Sequence, residues 1–501
     1  MRYPAGRRTD KLPLAPGPLM NLAAYFLDHN LESRADKVAV RTADGCWTFG
    51  EMHVASCRFG NLYRDAGIRE EDRVLLALND GPAFAAAWFG AVRIGAVVAM
   101  VNPGVPTEDW AYYLRYSRAR FLVTEQSFFD ANREPIEAAL HAGSLRRVVC
   151  VDTQTAEVES YDSACGYGDS GPDDPSVWLF SSGSSGKPKA CIHVNADFVF
   201  NTENYAKRVL GIREDDITLG VPKLFFGYAT GTNLMFPWAV GATTCLFPEL
   251  STPDVMLAHI QRFRPTIVTN VPTMIHKMLE HPECDRTDFS SVRMVLSAGE
   301  ALPGELYRRW TQRTGVEILD GIGSAEMFHI YITNYPGDVR VGTLGRLVPG
   351  YDARLVGENG HEVEPGAIGT LWIKGASNAI GYHGDRAKSR FTFRGDWTVT
   401  GDQFCVDDDG RFRYCGRADD LLKVGGVYVS PVEVENCLLA HSRVFECAVI
   451  GVEKNGLTST AAFVVPTEGE VNDALAAELQ AYVKTTLAPH KYPRSVHFLD
   501  T

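Results

Sequence analysis

The sequence predicts an α/β protein: a large N-terminal domain of doubly wound sheets, a β-rich subdomain, and a small α+β C-terminal domain. Three observations predict it. Between about residues 70 and 330, short β-branched runs alternate with helical segments, the pattern of parallel strands joined by crossover helices. From about 340 to 415 short strands are punctuated by Pro349-Gly350, Glu358-Asn359-Gly360, Glu364-Pro365-Gly366 and Asp409-Gly410, which reads as antiparallel and barrel-like. Beyond Gly416-Arg417-Ala418-Asp419-Asp420 the order becomes helix, two strands, helix. The boundaries are therefore 1–415, a connector at 416–420, and 421–501.

In chain order, the first unit is strand 73–78, helix 83–93 and strand 96–101. The apolar run 84–101 approaches the length of a membrane span, but Arg93 and Gly95 interrupt it, so it divides into a buried helix and a strand. A strand at 177–180 follows. Then come strand 266–269, helix 273–279, strand 292–296, helix 304–313 and strand 316–319. The C-terminal unit reads as helix 431–439, strands 447–452 and 461–465, and helix 473–487. In doubly wound sheets ligands bind outside the carboxyl ends of strands. Two polar, small-residue segments fall there: Ala298-Gly299-Glu300, and Asp320-Gly321-Ile322-Gly323-Ser324-Ala325-Glu326.

The bulk properties exclude several classes. With 501 residues, 45% hydrophobic and 22% charged, the chain can bury a large core and is ordinary for a globular protein. A net charge of −13 argues against nucleic acid and membrane surfaces as partners. Eleven cysteines without a CxxC pair form neither a disulfide framework nor a zinc site, and fit a reducing cytoplasm. The N-terminus shows no apolar signal core before Leu12.

The most informative segment is Ser181-Ser182-Gly183-Ser184-Ser185-Gly186-Lys187-Pro188-Lys189. Its glycines let backbone N–H groups approach an anion, the hydroxyls add adjustable donors, and Lys187 and Lys189 supply charge. A Walker A loop needs four residues between its glycines and Ser or Thr after the lysine. Here two residues separate Gly183 from Gly186, and Pro188 follows Lys187. The alternative is a Gly/Ser linker, which the short length and the flanking apolar runs oppose.

This segment resembles the phosphate-binding signature of the adenylate-forming superfamily, which includes acyl- and aryl-CoA ligases, carrier-protein adenylation domains and luciferases. The usual form is Ser/Thr-Ser-Gly-Thr/Ser-Thr-Gly-x-Pro-Lys-Gly, and this chain departs from it in having Ala190 last. Further motifs match in family order, from about 177 to 435. Gly321 to Glu326 resembles the adenine-flanking segment whose final glutamate helps hold Mg²⁺. Thr400-Gly401-Asp402 resembles the family's ribose-binding tripeptide, and a carboxylate can accept two hydroxyl donors at once. Alone, Glu326 would read as an exposed helix-end residue and Thr-Gly-Asp as a turn. Gly416-Arg417 and Asp420 resemble the hinge motif Gly-Arg-x-x-Asp. Lys423-Val424-Gly425-Gly426-Val427-Tyr428-Val429 resembles the loop that swings in to build the thiol tunnel. Pro431 and Glu433-Val434-Glu435 complete the match.

The resemblance implies mixed sheets, a mobile C-terminal domain and two half-reactions. A carboxylate attacks the α-phosphorus of Mg·ATP to give an acyl-AMP, and the CoA thiol then displaces AMP. The implied catalytic set is Ser181, Lys189, Glu326 and Lys423. The implied nucleotide set adds Ser182–Lys187, Ala298–Glu300, Asp320–Ser324, Asp402 and Arg417. The chain also resembles the benzoate–CoA ligase branch in Lys223-Leu224-Phe225-Phe226-Gly227-Tyr228-Ala229 and Met327-Phe328-His329-Ile330. There the position of Phe226 gates the carboxylate, while Gly227, Tyr228, Ala229, His329 and Ile330 line a flat ring slot. Thr230 is expected to bring a hydroxyl near that slot, so benzoate and its hydroxy and amino derivatives are candidate acids. His329 could donate to the carboxylate or a ring substituent, or be a core histidine satisfied by backbone. The family also carries a catalytic lysine in a Pro-x-Thr-x-x-Gly-Lys segment after the last strand. The sequence in hand reaches Thr501 without it, so the C-terminal domain is expected to be incomplete as given, and adenylation by this chain alone to be slow. Two rivals remain: transfer to a carrier protein's phosphopantetheine, and a non-catalytic nucleotide- or acyl-binding protein.

Overall fold

A computed structural model of the chain describes residues 20–181, 187–418, 422–424, 427–454, 457–467, 471–487 and 491–499. Ser182, Gly183, Ser184, Ser185, Gly186, Asp420, Gly425 and Gly426 therefore lie outside the described residues, as does the side chain of Lys423.

Two large sheets form the body. The seven-stranded sheet runs Gly381–Tyr382, Lys189–Val194, Pro175–Ser181, Val97–Met100, Arg73–Ala77, Phe121–Thr124, Arg147–Cys150. Its last five strands are parallel and its first two antiparallel. The nine-stranded sheet has a parallel centre from Ile318–Gly323 through Met294–Ser297, Ile267–Asn270, Ile217–Gly220 and Thr243–Cys245 to Val38–Arg41, with antiparallel strands at both edges. The parallel strands are mostly apolar and buried, as strands covered on both faces must be. Val74, Leu75, Leu76 and Ala77 are all fully buried.

The run 84–101 resolves as sequence logic requires. It forms helix Pro82–Arg93 and strand Val97–Met100, and Arg93 is buried because its guanidinium is held by Asp28 at 2.7 Å. Among the described residues no helix is long and apolar enough to cross a membrane.

Asp352–Val356, Gly369–Lys374, Phe393–Arg394, Trp397–Val406 and Phe412–Arg417 form a five-stranded antiparallel sheet. The barrel expected here does not form, since no pairing among these strands closes the sheet on itself. The C-terminal unit packs a core of its own, with Val434, Leu438, Val464, Leu479 and Val483 buried together. Its helix Pro431–Leu439 starts where the sequence dictates. Ser430 caps it by accepting from the Glu433 N–H at 3.2 Å, and Pro431 occupies the first turn.

Candidate functional site

The phosphate-loop segment joins two neighbouring antiparallel strands, Pro175–Ser181 and Lys189–Val194, with Ser181 paired to Lys189 across its base. The ladder brings a hydroxyl and an ammonium side by side at the carboxyl end of the parallel sheet. Ala190, the departure from the family glycine, is fully buried, and its N–H donates to the Tyr116 hydroxyl at 3.2 Å. On the neighbouring helix Thr107–Ser117, Tyr112 donates to the Pro188 carbonyl at 2.7 Å. Its ring lies 5.5 Å from Lys187 Nζ. These tyrosines hold Lys187, Pro188 and Ala190, and nothing in their sequence pattern marked them.

A cleft of about 770 Å³ opens beside this ladder. Ser181, Lys189, Gly299, Glu300, Glu326, Asp402 and Arg417 all reach it, as does the stretch Asp320–Ser324. Five sequence segments far apart in the chain therefore meet in one space. Lys187 and Ala298 do not line it, and Ala298 packs in the core beneath.

The segment expected to follow a strand is in part the strand itself, since Asp320 to Gly323 belong to Ile318–Gly323. Gly323 is required by a close approach: a Cβ there would sit 2.5 Å from the His329 carbonyl oxygen. Asp320 is buried in the cleft wall, and burial pushes its carboxyl up to about 8. Glu326 accepts from the Tyr382 hydroxyl at 2.6 Å and lies 3.9 Å from Lys189 Nζ. That ammonium also sits 4.0 Å from the Tyr382 ring centroid. Tyr382 was missed by sequence reasoning. It is placed by the two-residue strand Gly381–Tyr382, which pairs with Cys191 and Ile192 beside Lys189. His193, also missed, pins the turn before Glu326. Its Nε2 lies 2.6 Å from the Ala325 carbonyl, and its Nδ1 2.7 Å from Asp197.

Asp402 and Arg417 are directly paired across adjacent strands, with Arg417 donating to Asp402 at 3.1 Å. Burial pushes the Asp402 carboxyl up to about 6, against the opposing pull of the Arg417 guanidinium. Glu300 lines the cleft, but its carboxylate accepts from both the N–H and the hydroxyl of Thr273, at 2.9 and 2.7 Å. It is thus committed to the start of helix Pro272–Glu280. Val432 and Asn436 of the C-terminal unit also line the cleft.

The aryl segments converge on a separate, closed group of rings. Phe226 is 51% exposed, while Ala229, His329 and Ile330 are buried. The Tyr228 and His329 ring centroids are 5.2 Å apart, and Phe236 stands 4.7 Å from His329. Asp80 accepts from the Leu224 N–H at 2.8 Å, anchoring the turn that carries Phe226. Thr230 corrects the sequence expectation. Its hydroxyl donates to the Leu224 carbonyl at 2.6 Å and the Phe226 carbonyl at 3.1 Å, so it closes a helical turn instead of facing the slot.

His329 is reached from Glu326 through an unusual turn. Phe328 has φ 66° and ψ −57°, and the His329 N–H donates to the Met327 carbonyl at 2.8 Å. This is the strained form of the γ-turn, costing about 1–3 kcal/mol. The Phe328 ring, buried 4.4 Å from Phe198, holds it in place.

The family model for AMP-binding enzymes matches residues 27–383, and that for the AMP-binding enzyme C-terminal domain matches 433–501. The chain belongs to the AMP-binding, adenylate-forming family. Within it, the chain falls in the benzoate–CoA ligase-like branch. It is 40% identical to a benzoate–CoA ligase of Thauera aromatica over 494 residues, covering 96% of this chain and 92% of that one. A solved benzoate CoA ligase of Burkholderia xenovorans LB400 superposes with a TM-score of 0.87 at 40% identity, covering 96% of this chain and 97% of that one. The anthranilate CoA ligase AuaEII in complex with anthranoyl-AMP superposes with a TM-score of 0.90 at 36% identity, covering 97% and 94%.

Proposed function

We infer that the protein is an AMP-forming aryl-acid–CoA ligase. It converts benzoate, or a hydroxy- or aminobenzoate, and ATP into aryl-AMP and pyrophosphate, then passes the aryl group to CoA with release of AMP. The observation that carries this is the meeting of Ser181, Lys189, Glu326, Asp402 and Arg417 around one cleft, in a chain similar over nearly its whole length to benzoate–CoA ligases.

In this reading Asp402 accepts the ribose hydroxyls, the strand segment Asp320–Gly323 presents backbone to the base, and Lys189 neutralises phosphate charge. Catalysis of the first step is mainly positioning and electrostatics. The donor set fits Mg²⁺. Among the described residues no group of three or more His, Cys, Asp or Glu could hold a metal, and Mg²⁺ commonly uses one carboxylate together with substrate phosphates and water. Glu326 is that carboxylate. Its Oε1 is taken by Tyr382, which fixes the orientation of the group. When bound, the ion would supply neutralisation of phosphate charge.

We assign residues 1–415 to the adenylating domain, 416–420 to a hinge that includes Asp420, and 421–501 to a mobile domain. Lys423, Gly425 and Gly426 are the thiol-side residues of that domain, an assignment resting on sequence. Eleven unpaired cysteines support a cytoplasmic setting.

The test is ATP–pyrophosphate exchange by the full-length protein over a panel of aryl and fatty acids, followed by thioester formation. Benzoate-type acids are expected to support exchange, and CoA to accept the aryl group faster than a phosphopantetheine-loaded carrier protein. Exchange confined to long-chain fatty acids, or none with any acid, would overturn the reading.

A further inference from the structure

Strands Trp397–Val406 and Phe412–Arg417 pair antiparallel, and their register shifts once. Phe404 faces Tyr414 and Gln403 faces Gly416, so Cys415 is the extra residue of a β-bulge. Gly416 beside it takes φ 111°, in the region that favours glycine. The bulge brings the Cys415 thiol against the sulfur of Cys405, with 3.8 Å between the two sulfurs. Cys415 is buried and Cys405 is partly exposed, so one sulfur of the pair can be reached from solvent.

The two thiols are unequal. The Cys415 S–H donates to Cys405, and that bond is the largest influence holding the Cys405 thiol below its ordinary value. The same bond, joined by burial, pushes Cys415 up. Cys405 therefore has thiolate character while Cys415 keeps its proton, the arrangement of an attacking thiol next to a resolving one. With a peroxide, the Cys405 thiolate attacks the O–O bond, which breaks. Sulfur takes one oxygen as a sulfenic acid, and the other leaves as hydroxide. Cys405 is then uncharged, so the main influence that kept Cys415 protonated is gone. The Cys415 sulfur attacks Cys405, the S–S bond forms, the S–O bond breaks, and water departs with the Cys415 proton. Overall, two thiols and one hydrogen peroxide give one disulfide and two waters.

The disulfide cannot form without local movement. An S–S bond is about 2.0 Å long, so the sulfurs must close in from 3.8 Å, and the bulge is where the backbone can yield. The same two strands carry the Asp402–Arg417 pair, with Arg417 just beyond the bulge and its guanidinium 3.1 Å from Asp402 in the cleft. We propose that Cys405 and Cys415 are a redox modification site, where a peroxide forms a reversible disulfide that reshapes the bulge and loosens the Asp402–Arg417 pair. Disulfides in reducing compartments are usually transient and redox-sensing, which suits one at this position. The disulfide rests on the geometry of the two strands alone. Its effect on the cleft rests on the ribose role given to Asp402 above.

The test treats the reduced full-length protein with hydrogen peroxide, blocks the remaining thiols and maps the tryptic peptides. Arg411 and Arg413 lie between the two cysteines, so trypsin separates them and a cross-linked peptide reports the bond. A Cys405–Cys415 cross-link, two hydrogens lighter than the reduced peptides and reversed by dithiothreitol, is expected before the other cysteines oxidise. In Cys415→Ser, Cys405 should stop at a sulfenic acid that dimedone captures. In Cys405→Ser, Cys415 should stay reduced. Calorimetry should show the oxidised protein binding adenosine about tenfold more weakly, as loss of a charged hydrogen bond implies, with dithiothreitol restoring affinity and Cys405→Ser insensitive to peroxide. Other cysteines oxidising while Cys405 and Cys415 stay free, or Cys405 reaching the sulfinic acid without a cross-link, would overturn the proposal on the wild-type protein alone. A cross-link that leaves adenosine affinity unchanged would overturn the coupling to the cleft. If the reduced protein binds no adenosine, the nucleotide reading of the cleft falls, while the peptide map still decides the disulfide.

Discussion

The nucleotide cleft and the aryl pocket handle unpaired polar atoms in opposite ways. In the cleft these include the Ser181 and Ser324 hydroxyls, which can rotate to meet water or phosphate. In the pocket one is a ring nitrogen of His329, held in one orientation by a carbonyl, a glycine and three aromatic neighbours. The cleft thus places adaptable groups around an open space of about 770 Å³, whereas the aryl cluster fixes its polar atoms among packed rings.

Removing charge from the cleft should give the largest effect. Glu326→Gln keeps an acceptor for Tyr382 but loses the carboxylate, and the adenylation rate measured by pyrophosphate exchange should fall about 100-fold or more. A loss under threefold would remove Glu326 from the phosphate side of the site.

Asp402 gives the next effect, together with a pH signature. Its carboxyl, raised to about 6 by burial, must be ionised to accept two ribose hydroxyls. Binding should therefore be full above that value and decline as pH falls through it. Adenosine is the appropriate probe, because it has no titrating phosphate, and calorimetry should show it binding about tenfold more weakly at pH 5 than at pH 7. Asp402→Asn should weaken binding at pH 7 by about 10- to 100-fold and flatten the profile. A wild-type profile already flat from pH 5 to 7 would sink the ribose role.

Tyr382→Phe removes the hydroxyl bonded to Glu326 while keeping the ring under Lys189. An orienting bond to a charged group is worth about 1.5–3 kcal/mol, so kcat should drop about tenfold with a smaller change in nucleotide KM. A change confined to KM would mean that Tyr382 touches the nucleotide itself.

How much of this was legible in sequence follows the same division. The alternating strands and helices and the phosphate segment depend on neighbours in sequence, so local pattern exposes them, whereas Asp402 and Arg417 were named separately by resemblance and their pairing emerged only from the strand register. Tyr382 depends on a two-residue strand joining a distant sheet edge, and the buttressing of Tyr112 and Tyr116 on a packing contact. Neither leaves a period or a motif. The closure expected of the 340–415 strands failed because turn signals report where strands end, not whether a sheet closes. In the pocket, the sequence named His329 and Tyr228 but could not say which nitrogen was free. That is decided by a carbonyl about a hundred residues away in the chain.

Thr230 separates residue type from residue role most sharply. Its hydroxyl fits the idea of a polar contact to a substituted ring, yet it is spent on the Leu224 and Phe226 carbonyls in its own turn. Thr230→Val keeps the shape and deletes those bonds. Stability should fall by about 1–2 kcal/mol, read as a lower denaturant midpoint at unchanged slope. The ratio of rates for hydroxybenzoate and toluate should stay within about twofold of the parent protein, since the hydroxyl is turned to its own backbone and not to the ring. If the ratio collapsed while stability held, the hydroxyl would be facing the ring after all.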